Sequence, residues 1–445
     1  MKRTLDSQLL AWKTSKTRIP LLLRGARQVG KSFAVEKLGQ TAFESFITVN
    51  FEKKPDLAAC FTDLDPKSIL SKLELALDTR ILPGQSLLFL DEIQNCPQAI
   101  LALRYFKEEM PALHVIAAGS LLEFVLNEGS FSFPVGRVQP FYVRPMSFLE
   151  FLKALGKDIL VEAIEQSSIH KPFEPIAHKR LLELVRQYLL IGGMPEAIQA
   201  FVDTHSIAET QQIHARLIET YQTDFSKYAS KTTNRYLQRF FERTPKLVGE
   251  AFKYVNVDPD AKSRDLKETL QQLSWAGLVS QVYATSASGI PLHSQAKFEK
   301  FKLLFVDIGL MQRFLRLNTQ AFWEENIAQI NSGAIAEQLV GQELLTYQGF
   351  YQHPQIHYWH REARTSTAEV DYVIQTGSQI VPIEVKAGKT GRRKSIQIFL
   401  KEKKLPLGVK ISQNELGIHK NILSVPFYLI SVLPNLIREL TEYNG

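Results

Sequence analysis

The chain has only two cysteines, Cys60 and Cys96, in 445 residues. That is too few for a disulfide framework, and their spacing fits no cysteine-based metal cluster, so a thiol-reducing cytoplasm is the expected compartment. Long apolar runs are equally scarce. Residues 20–23 and 188–191 are among the longest, far short of the roughly 20 residues that a helix needs to span a bilayer, and no membrane association is expected. Behind the basic residues of Met1-Lys2-Arg3-Thr4-Leu5-Asp6 there is no apolar core, so no secretory signal is expected. A composition of 45% hydrophobic and 22% charged residues excludes wholesale disorder. The length implies two to four domains. Lys plus Arg exceed Asp plus Glu by seven, which leans toward a polyanionic partner without establishing one.

The first hundred residues carry a concentrated signal. Residues 19–23 form a short apolar run that reads as a buried strand. Gly25-Ala26-Arg27-Gln28-Val29-Gly30-Lys31-Ser32 follows, and a helix pattern continues to Leu38. Two glycines bracketing four residues, then Lys-Ser, is the phosphate-loop pattern. Gly25 and Gly30 let the backbone turn its N–H groups toward phosphate oxygens, and the next helix adds the positive end of its dipole. Lys31 would balance β/γ-phosphate charge and Ser32 would hold magnesium, so ATP and Mg²⁺ are the expected cofactors.

A second strand, residues 86–90, ends in Asp91-Glu92. Two carboxylates closing an apolar strand are costly unless they meet a cation or water. In a nucleotide hydrolase Asp91 would bind the Mg²⁺ shell and Glu92 would orient the attacking water. A third strand, residues 114–117, ends at Gly119-Ser120, where Ser120 is either a γ-phosphate sensor or a helix cap. With a further strand at 45–51 and helices at 68–77 and 99–109, the segment reads as a parallel three-layer α/β sheet with its ligand at the carboxyl ends of the strands. Arg137, after Gly136, is either a phosphate-reaching arginine, in its own or a neighbouring subunit, or a surface ion-pair residue.

These motifs, with Leu90-Asp91-Glu92-Ile93-Gln94 and Gly136-Arg137, resemble the prokaryotic AAA-type ATPases that carry a C-terminal domain of unknown function. Gly192-Gly193-Met194-Pro195 and Thr220-Tyr221 through Asp224 resemble the middle segment of that family. Asp307-Ile308-Gly309-Leu310, Ala368-Glu369-Val370-Asp371 and Ile383-Glu384-Val385-Lys386 resemble its C-terminal half. The resemblance implies ATP binding, and AAA-type relatives share sites between subunits, so self-association or a protein partner is a further expectation.

The middle of the chain is helical in pattern, clearest at 181–190 and 207–221. Short helices are predicted at 236–243 and 247–254, and a third at 263–276. Gly277 permits a turn, and residues 278–283 alternate like a strand. Three helices followed by strands is the winged-helix plan, which serves DNA or protein docking. Arg264-Asp265-Leu266-Lys267 opens the third helix with charges of both signs.

In the C-terminal third, residues 368–374 and 379–386 are strand-like runs separated by Thr376-Gly377-Ser378. A two-residue Gly377-Ser378 turn sets a register in which paired residue numbers sum to about 755, by the hairpin rule. Asp371 then faces Glu384, and Glu369 faces Lys386, all on one side of the sheet. Opposed carboxylates repel unless a cation lies between them. An acid followed by Glu-x-Lys resembles the restriction-endonuclease-like nuclease core. The resemblance implies Asp371 and Glu384 as Mg²⁺ ligands, Lys386 as stabiliser of the attacking hydroxide or phosphorane charge, and a further carboxylate from the helix at 334–345, Glu337 or its competitor Glu343. Lys389, Arg392, Arg393 and Lys394 follow as candidate phosphate contacts. The alternatives are a Glu369–Lys386 cross-strand ion pair with a solvated Asp371, or a nuclease-like fold without cleavage.

The expected architecture is α/β: an AAA-type ATPase sheet over 1–155, a helical connection over 156–232, a winged-helix-like module over 233–300 and a restriction-endonuclease-like domain over 301–445. Two functions fit it: an ATPase that controls a DNA-binding, Mg²⁺-dependent nuclease, or an ATP-dependent DNA- or protein-binding switch with an inactive nuclease-like domain.

Overall fold

Alternate residues of the first strand belong to different cores, and this alternation sets the architecture of the N-terminal module. In the computed structural model, which describes residues 1–119, 136–171, 173–228, 231–316, 332–362, 368–388 and 394–443, β1 (Leu21–Arg24) buries Leu21 and Leu23 on one face and Leu22 on the other. The same split divides Leu87 and Phe89 from Leu88 and Leu90 on β3 (Ser86–Asp91). A strand apolar on both faces needs helices on both sides. β2 (Ser45–Asn50), β4 (His114–Ala118) and β5 (Gln139–Tyr142) complete a wholly parallel sheet in the order β2-β3-β4-β1-β5. One face is covered by α3 (Pro66–Leu77) and α4 (Pro97–Glu109), which contribute Ile69, Leu73, Ile100 and Leu103 to one core. The other is covered by α1 (Thr4–Thr14) and α2 (Lys31–Ala42), with Leu5, Leu9, Val35 and Leu38 in the other core.

Helices α5 (Phe148–Ala154), α6 (Asp158–Glu165), α7 (Pro175–Ile191), α8 (Pro195–Thr204), α9 (Ile207–Tyr228), α10 (Lys231–Leu247) and α11 (Ser263–Trp275) follow. None of the helices among the described residues is long and apolar enough to cross a membrane. The two short helices predicted at 236–243 and 247–254 are not found. A single helix, α10, runs through both the first pattern and Pro245. Its apolar face, with Leu237, Phe240 and Phe241 buried, continues past residue 243. Proline this close to the helix end forfeits few backbone bonds, and the chain turns instead at Gly249, whose φ is +84°.

The second sheet has eight strands in the order β12-β13-β11-β10-β9-β8-β6-β7. These are β6 (Val279–Thr285), β7 (Ala296–Phe305), β8 (Ile356–His360), β9 (Glu369–Thr376), β10 (Gln379–Val385), β11 (Gly408–Ser412), β12 (Gly417–His419) and β13 (Ile422–Pro426). The antiparallel hairpin β6–β7 follows the middle helices as a wing would, yet β6 also pairs in parallel with β8. β7 runs through residue 300, so this hairpin is continuous with the C-terminal sheet. Helices α12 (Ile308–Leu315), α13 (Ser332–Thr346), α14 (Lys394–Lys403) and α15 (Leu433–Tyr443) pack around it.

The motifs of the middle and C-terminal segments meet in a buried hub. Asp307 caps α12, accepting the N–H groups of Gly309 (2.9 Å) and Leu310 (3.1 Å), and also accepts the N–H of Gly193 at 2.6 Å. Gly192 has φ +71°, and a Cβ there would lie 2.1 Å from the Asp307 carboxylate. Beside it Glu343 accepts the Phe148 N–H (3.0 Å) and the Tyr188 hydroxyl (3.2 Å). Burial raises the Asp307 carboxyl to about 6 and that of Glu343 to about 7. A carboxyl raised on folding adds stability that is complete below its unfolded pKa and is lost as pH rises through the folded one. For Glu343 that window runs from about 4.5 to 7 and corresponds to roughly 3 kcal/mol. Urea unfolding of Glu343→Gln should therefore show a visibly shallower loss of stability between pH 4.5 and 7.5 than the parent. An identical slope in both proteins would contradict this account of the hub.

Candidate functional site

The loop between β1 and α2 is built by backbone geometry. Gly25 has φ +137°, and a Cβ there would stand 2.0 Å from the Val143 carbonyl oxygen, so no other residue fits. Gln28 and Gly30 also have positive φ, +62° and +91°, which folds the segment from Gly25 to Gly30 around the amino end of α2. Lys31 points back into it, donating to the carbonyls of Gly25 (2.8 Å) and Ala26 (2.9 Å). Burial lowers its ammonium to about 8, although Glu92 and Asp91 nearby oppose the shift.

The second strand brings its carboxylates to the same place. The Ser32 hydroxyl donates to Asp91 Oδ1 at 3.1 Å, and Asn50 Nδ2, from the adjacent end of β2, donates to Asp91 Oδ2 at 2.9 Å. Glu92 sits in the left-handed region at φ +51°, uncommon for a non-glycine residue and costly unless its surroundings hold it there. Gln94, the last residue of the Leu90–Gln94 motif, supplies that hold by donating Nε2 to Glu92 Oε2 at 2.6 Å. Gln94 in turn needs Gly119 at the end of β4, where a Cβ would lie 2.4 Å from Gln94 Oε1. Lys31, Ser32, Asp91 and Glu92 thus converge at the carboxyl end of the sheet. Ser32 and Asp91 present the paired oxygens that suit Mg²⁺, which prefers hard oxygen ligands.

Three residues from outside the loop, Asp224, Tyr221 and Arg3, lock it in place. Arg27 donates through one nitrogen to both oxygens of Asp224 on α9 (2.6 and 2.7 Å), and the Tyr221 hydroxyl donates to the Arg27 carbonyl at 2.7 Å. Arg3 donates to the carbonyls of Val29 (2.6 Å) and Arg144 (2.7 Å) and ion-pairs with Glu150 at 3.4 Å. The loop is therefore tied to both the amino-terminal helix and the middle helices. Tyr221 and Asp224 lie in the segment that resembles the family's middle, but their partner in the phosphate loop cannot be read from spacing.

Arg137 does not join the cluster. It precedes β5, whose Gln139 pairs with Leu21 and whose Tyr142 pairs with Arg24. It thus lies at the amino end of the sheet, roughly 15–20 Å from the loop at about 3.3 Å per residue. There it ion-pairs with Glu108 at 2.8 Å. Ser120 lies outside the described residues, as do Lys389, Arg392 and Arg393; Lys394 begins α14.

The C-terminal hairpin has the expected register. The five pairs from Gln379↔Thr376 to Ile383↔Tyr372 follow it, and Gly377 at the turn has φ +59°. One step further along, Asp371 and Glu384 stand side by side, but each is occupied by the chain itself. Asp371 Oδ2 accepts the Val385 N–H at 2.7 Å. Glu384 Oε1 ion-pairs with Lys386 at 2.8 Å, and its Oε2 accepts the Ile396 N–H at 3.4 Å. Glu369 pairs not with Lys386 but with Lys302, at 2.5 Å. Lys302, on β7, also meets Glu337 of α13 at 3.2 Å. Glu337 is the helix carboxylate of this cluster; Glu343, six residues on, turns into the hub described above.

Lys302 is 96% buried at its side chain. Burial alone would lower its pKa, but Glu337, Glu369 and Asp371 outweigh that and hold the ammonium above its ordinary value. At Glu337 the balance tips the other way, with burial and then Asp371 raising the carboxyl to about 7 despite Lys302. The sequence signal for Lys302 is faint: one lysine inside Phe301-Lys302-Leu303-Leu304-Phe305. Among the described residues no three His, Cys, Asp or Glu side chains are grouped to hold a metal ion. As arranged, these carboxylates fit an internal ammonium rather than Mg²⁺.

Comparison with known proteins places this geometry. Residues 17–152 match the AAA domain family model, residues 182–321 match a domain of unknown function (DUF8612) and residues 332–428 match another (DUF4143). The N-terminal sheet with its phosphate loop is thus an AAA-type, nucleotide-binding module. No curated protein matches the chain. Among solved structures it is similar to Orc1 from Aeropyrum pernix in complex with DNA, at 12% identity over 70% of this chain and 90% of that one, TM-score 0.28. It is similar to AMPPCP-bound DnaA from Aquifex aeolicus, at 9% identity over 60% and 86%, TM-score 0.26. It is also similar to the RuvB Holliday junction branch migration motor from Thermotoga maritima, at 16% identity over 62% and 87%, TM-score 0.25.

Proposed function

We propose that the chain is a Mg²⁺-dependent ATPase that works as a switch, passing its nucleotide state to a C-terminal domain that engages DNA or a protein. The observation that carries this reading is the convergence of Lys31, Ser32, Asp91 and Glu92 at one end of a parallel sheet. The loop N–H groups and Lys31 hold phosphate oxygens, and Ser32 and Asp91 would hold Mg²⁺, which when bound neutralises charge on the β/γ-phosphates. Glu92, steadied by Gln94, orients the attacking water. The Arg27–Asp224 pair connects phosphate occupancy to α9. Docking is supported by the formal charge of +7 and by the order of α10, α11 and the β6–β7 hairpin, which suits a winged-helix-like module. At the start of α11, Arg264 and Lys267 are exposed.

Glu92→Gln tests the hydrolytic assignment. ATP affinity should stay within about threefold while turnover falls by roughly 10²-fold or more, the usual worth of a positioned base. Full turnover in this variant would falsify the role of Glu92. A second reading, metal-dependent phosphodiester cleavage at Asp371, Glu384 and Lys386, gains support from the hairpin register and loses it to Lys302. No hydrolytic step is assigned to these residues.

A further inference from the structure

The phosphate loop carries two cations, Lys31 and Arg27, and they are held in different ways. Lys31 is buried against the carbonyls of its own loop. Arg27 is 29% exposed at its side chain and is pinned from outside, its Nη1 donating to both oxygens of Asp224, whose side chain is 5% exposed. A guanidinium presents its N–H donors as a rigid fork. Among the described residues, Nε and Nη2 of Arg27 have no acceptor. The carboxylate therefore takes one corner of the fork and sets its direction without using it up. The backbone is pinned as well, since the Tyr221 hydroxyl donates to the Arg27 carbonyl at 2.7 Å. Arg27 also stands among the charges of the ATP site. Burial lowers its guanidinium, but Asp224 and then Glu92 and Glu52 outweigh that and raise it. Lys31, lowered chiefly by burial, feels the Arg27 charge in turn.

We propose that Arg27 is a γ-phosphate contact, positioned by Asp224, through which the chain distinguishes ATP from ADP. The assignment rests on the ATP site proposed above. Glu92 orients water toward the γ-phosphate there, so a loop cation within reach of both Glu92 and Lys31 lies beside that phosphate. With ATP bound, Nε and Nη2 donate to γ-phosphate oxygens while Nη1 stays on Asp224. The arginine then bridges the one phosphate that ADP lacks and a buried carboxylate on α9. The same donors stabilise charge on the γ-oxygens in the transition state, so Arg27 serves turnover as well as binding. With ADP bound, only the Asp224 half of the bridge remains. Because α9 packs against α8, α10 and α12, the contact carries nucleotide state from the loop into the middle helices.

The full-length parent, Arg27→Gln and Asp224→Asn are compared for equilibrium binding of ADP and of the non-hydrolysable triphosphate AMPPNP, both with Mg²⁺. ATP turnover is measured alongside, and thermal melts report folding. Arg27→Gln should weaken the triphosphate by about tenfold or more while ADP stays within about threefold, the worth of a charge-assisted bond to one phosphate. Turnover should fall by about 10²-fold or more. Asp224→Asn keeps the arginine but loosens its anchor, so the preference for triphosphate should shrink by about threefold or more, and Asp224→Glu should recover part of it. In the parent, AMPPNP should slow amide hydrogen exchange around Tyr221 relative to ADP, and Asp224→Asn should erase that difference, which a merely structural carboxylate would leave in place. The proposal is overturned if Arg27→Gln weakens both nucleotides equally or neither, or if Asp224→Asn leaves the triphosphate preference at the parent value. Should Asp224→Asn fail to fold, the Arg27→Gln result decides. A parent that binds neither nucleotide removes the ATP site and this contact with it. A parent that binds and turns over ATP, beside an Arg27→Gln protein with unchanged preference, overturns the contact alone.

Discussion

Lys31→Ala lowers ATP affinity by about 10²-fold or more and removes turnover with it. Lys31 is buried against the loop it serves, so its ammonium meets phosphate where water screens little. Losing one partner of such a buried pair costs about 3–5 kcal/mol, and every 1.4 kcal/mol is about a factor of ten in affinity. Equilibrium binding of ATP with Mg²⁺, alongside phosphate release, measures both quantities, and unchanged values would refute the assignment of the loop. A pH titration adds an independent check. In the free protein burial lowers Lys31 to about 8, while bound phosphate keeps it protonated, so binding takes up a proton above that pH. The parent should lose affinity by up to about tenfold per pH unit from pH 8 upward, until the bound-state pKa is reached. Lys31→Ala, with no ammonium to titrate, should show no such slope.

The phosphate loop is legible in the sequence because its chemistry is local. Two glycines, a lysine and a serine at fixed spacing have one shared purpose, and the positive φ of Gly25 and Gly30 is what that purpose needs. The hairpin register is legible for the same reason: a two-residue Gly-Ser turn determines which residues face each other, and five pairs obey it. What could not be read depends on residues distant in the chain. Asp224 lies 197 positions from Arg27, and Gln94 matters only because Gly119 and Glu92 flank it in space. Lys302 looks like an interruption of an apolar strand until β7 is placed beside α13 and β9. The helix at Lys231–Leu247 was obscured by Pro245, whose local signal to stop is overridden by the packing of Phe240 and Phe241.

Lys302→Met is expected to be the most destabilising change in the C-terminal domain, by about 3–5 kcal/mol at neutral pH. Methionine keeps much of the stem volume and removes the charge, so the loss reports electrostatics rather than a cavity. The parent cluster holds four carboxylates, Glu337, Glu369, Asp371 and Glu384, against two ammoniums, Lys302 and Lys386. Without Lys302, Glu337 and Asp371, which already repel each other, lose the cation between them. Lys386 cannot replace it, because its ammonium is held at Glu384 and lies on a more exposed side chain. Protonation relieves the repulsion, and Lys302 itself holds Glu337 down to about 7 in the parent, so the carboxyl of the variant lies higher still and the deficit should shrink as pH falls toward that value. Adding Glu337→Gln to Lys302→Met should recover part of the loss, since residues in one charge network are not additive. Chemical unfolding of the two variants and the parent at pH 5.5 and 8 measures all of this. A loss below about 1 kcal/mol at pH 8, the range of an exposed ion pair, would show that Lys302 is not the cation that holds the carboxylates together. A divalent ion supplies a second discrimination. Mn²⁺ added without nucleotide should raise the melting temperature of Lys302→Met and leave that of the parent nearly unchanged, because only the variant has carboxylates in need of a positive charge. Equal stabilisation of both proteins would mean that metal and lysine occupy different places, and would reopen the cluster as a metal centre in the native chain.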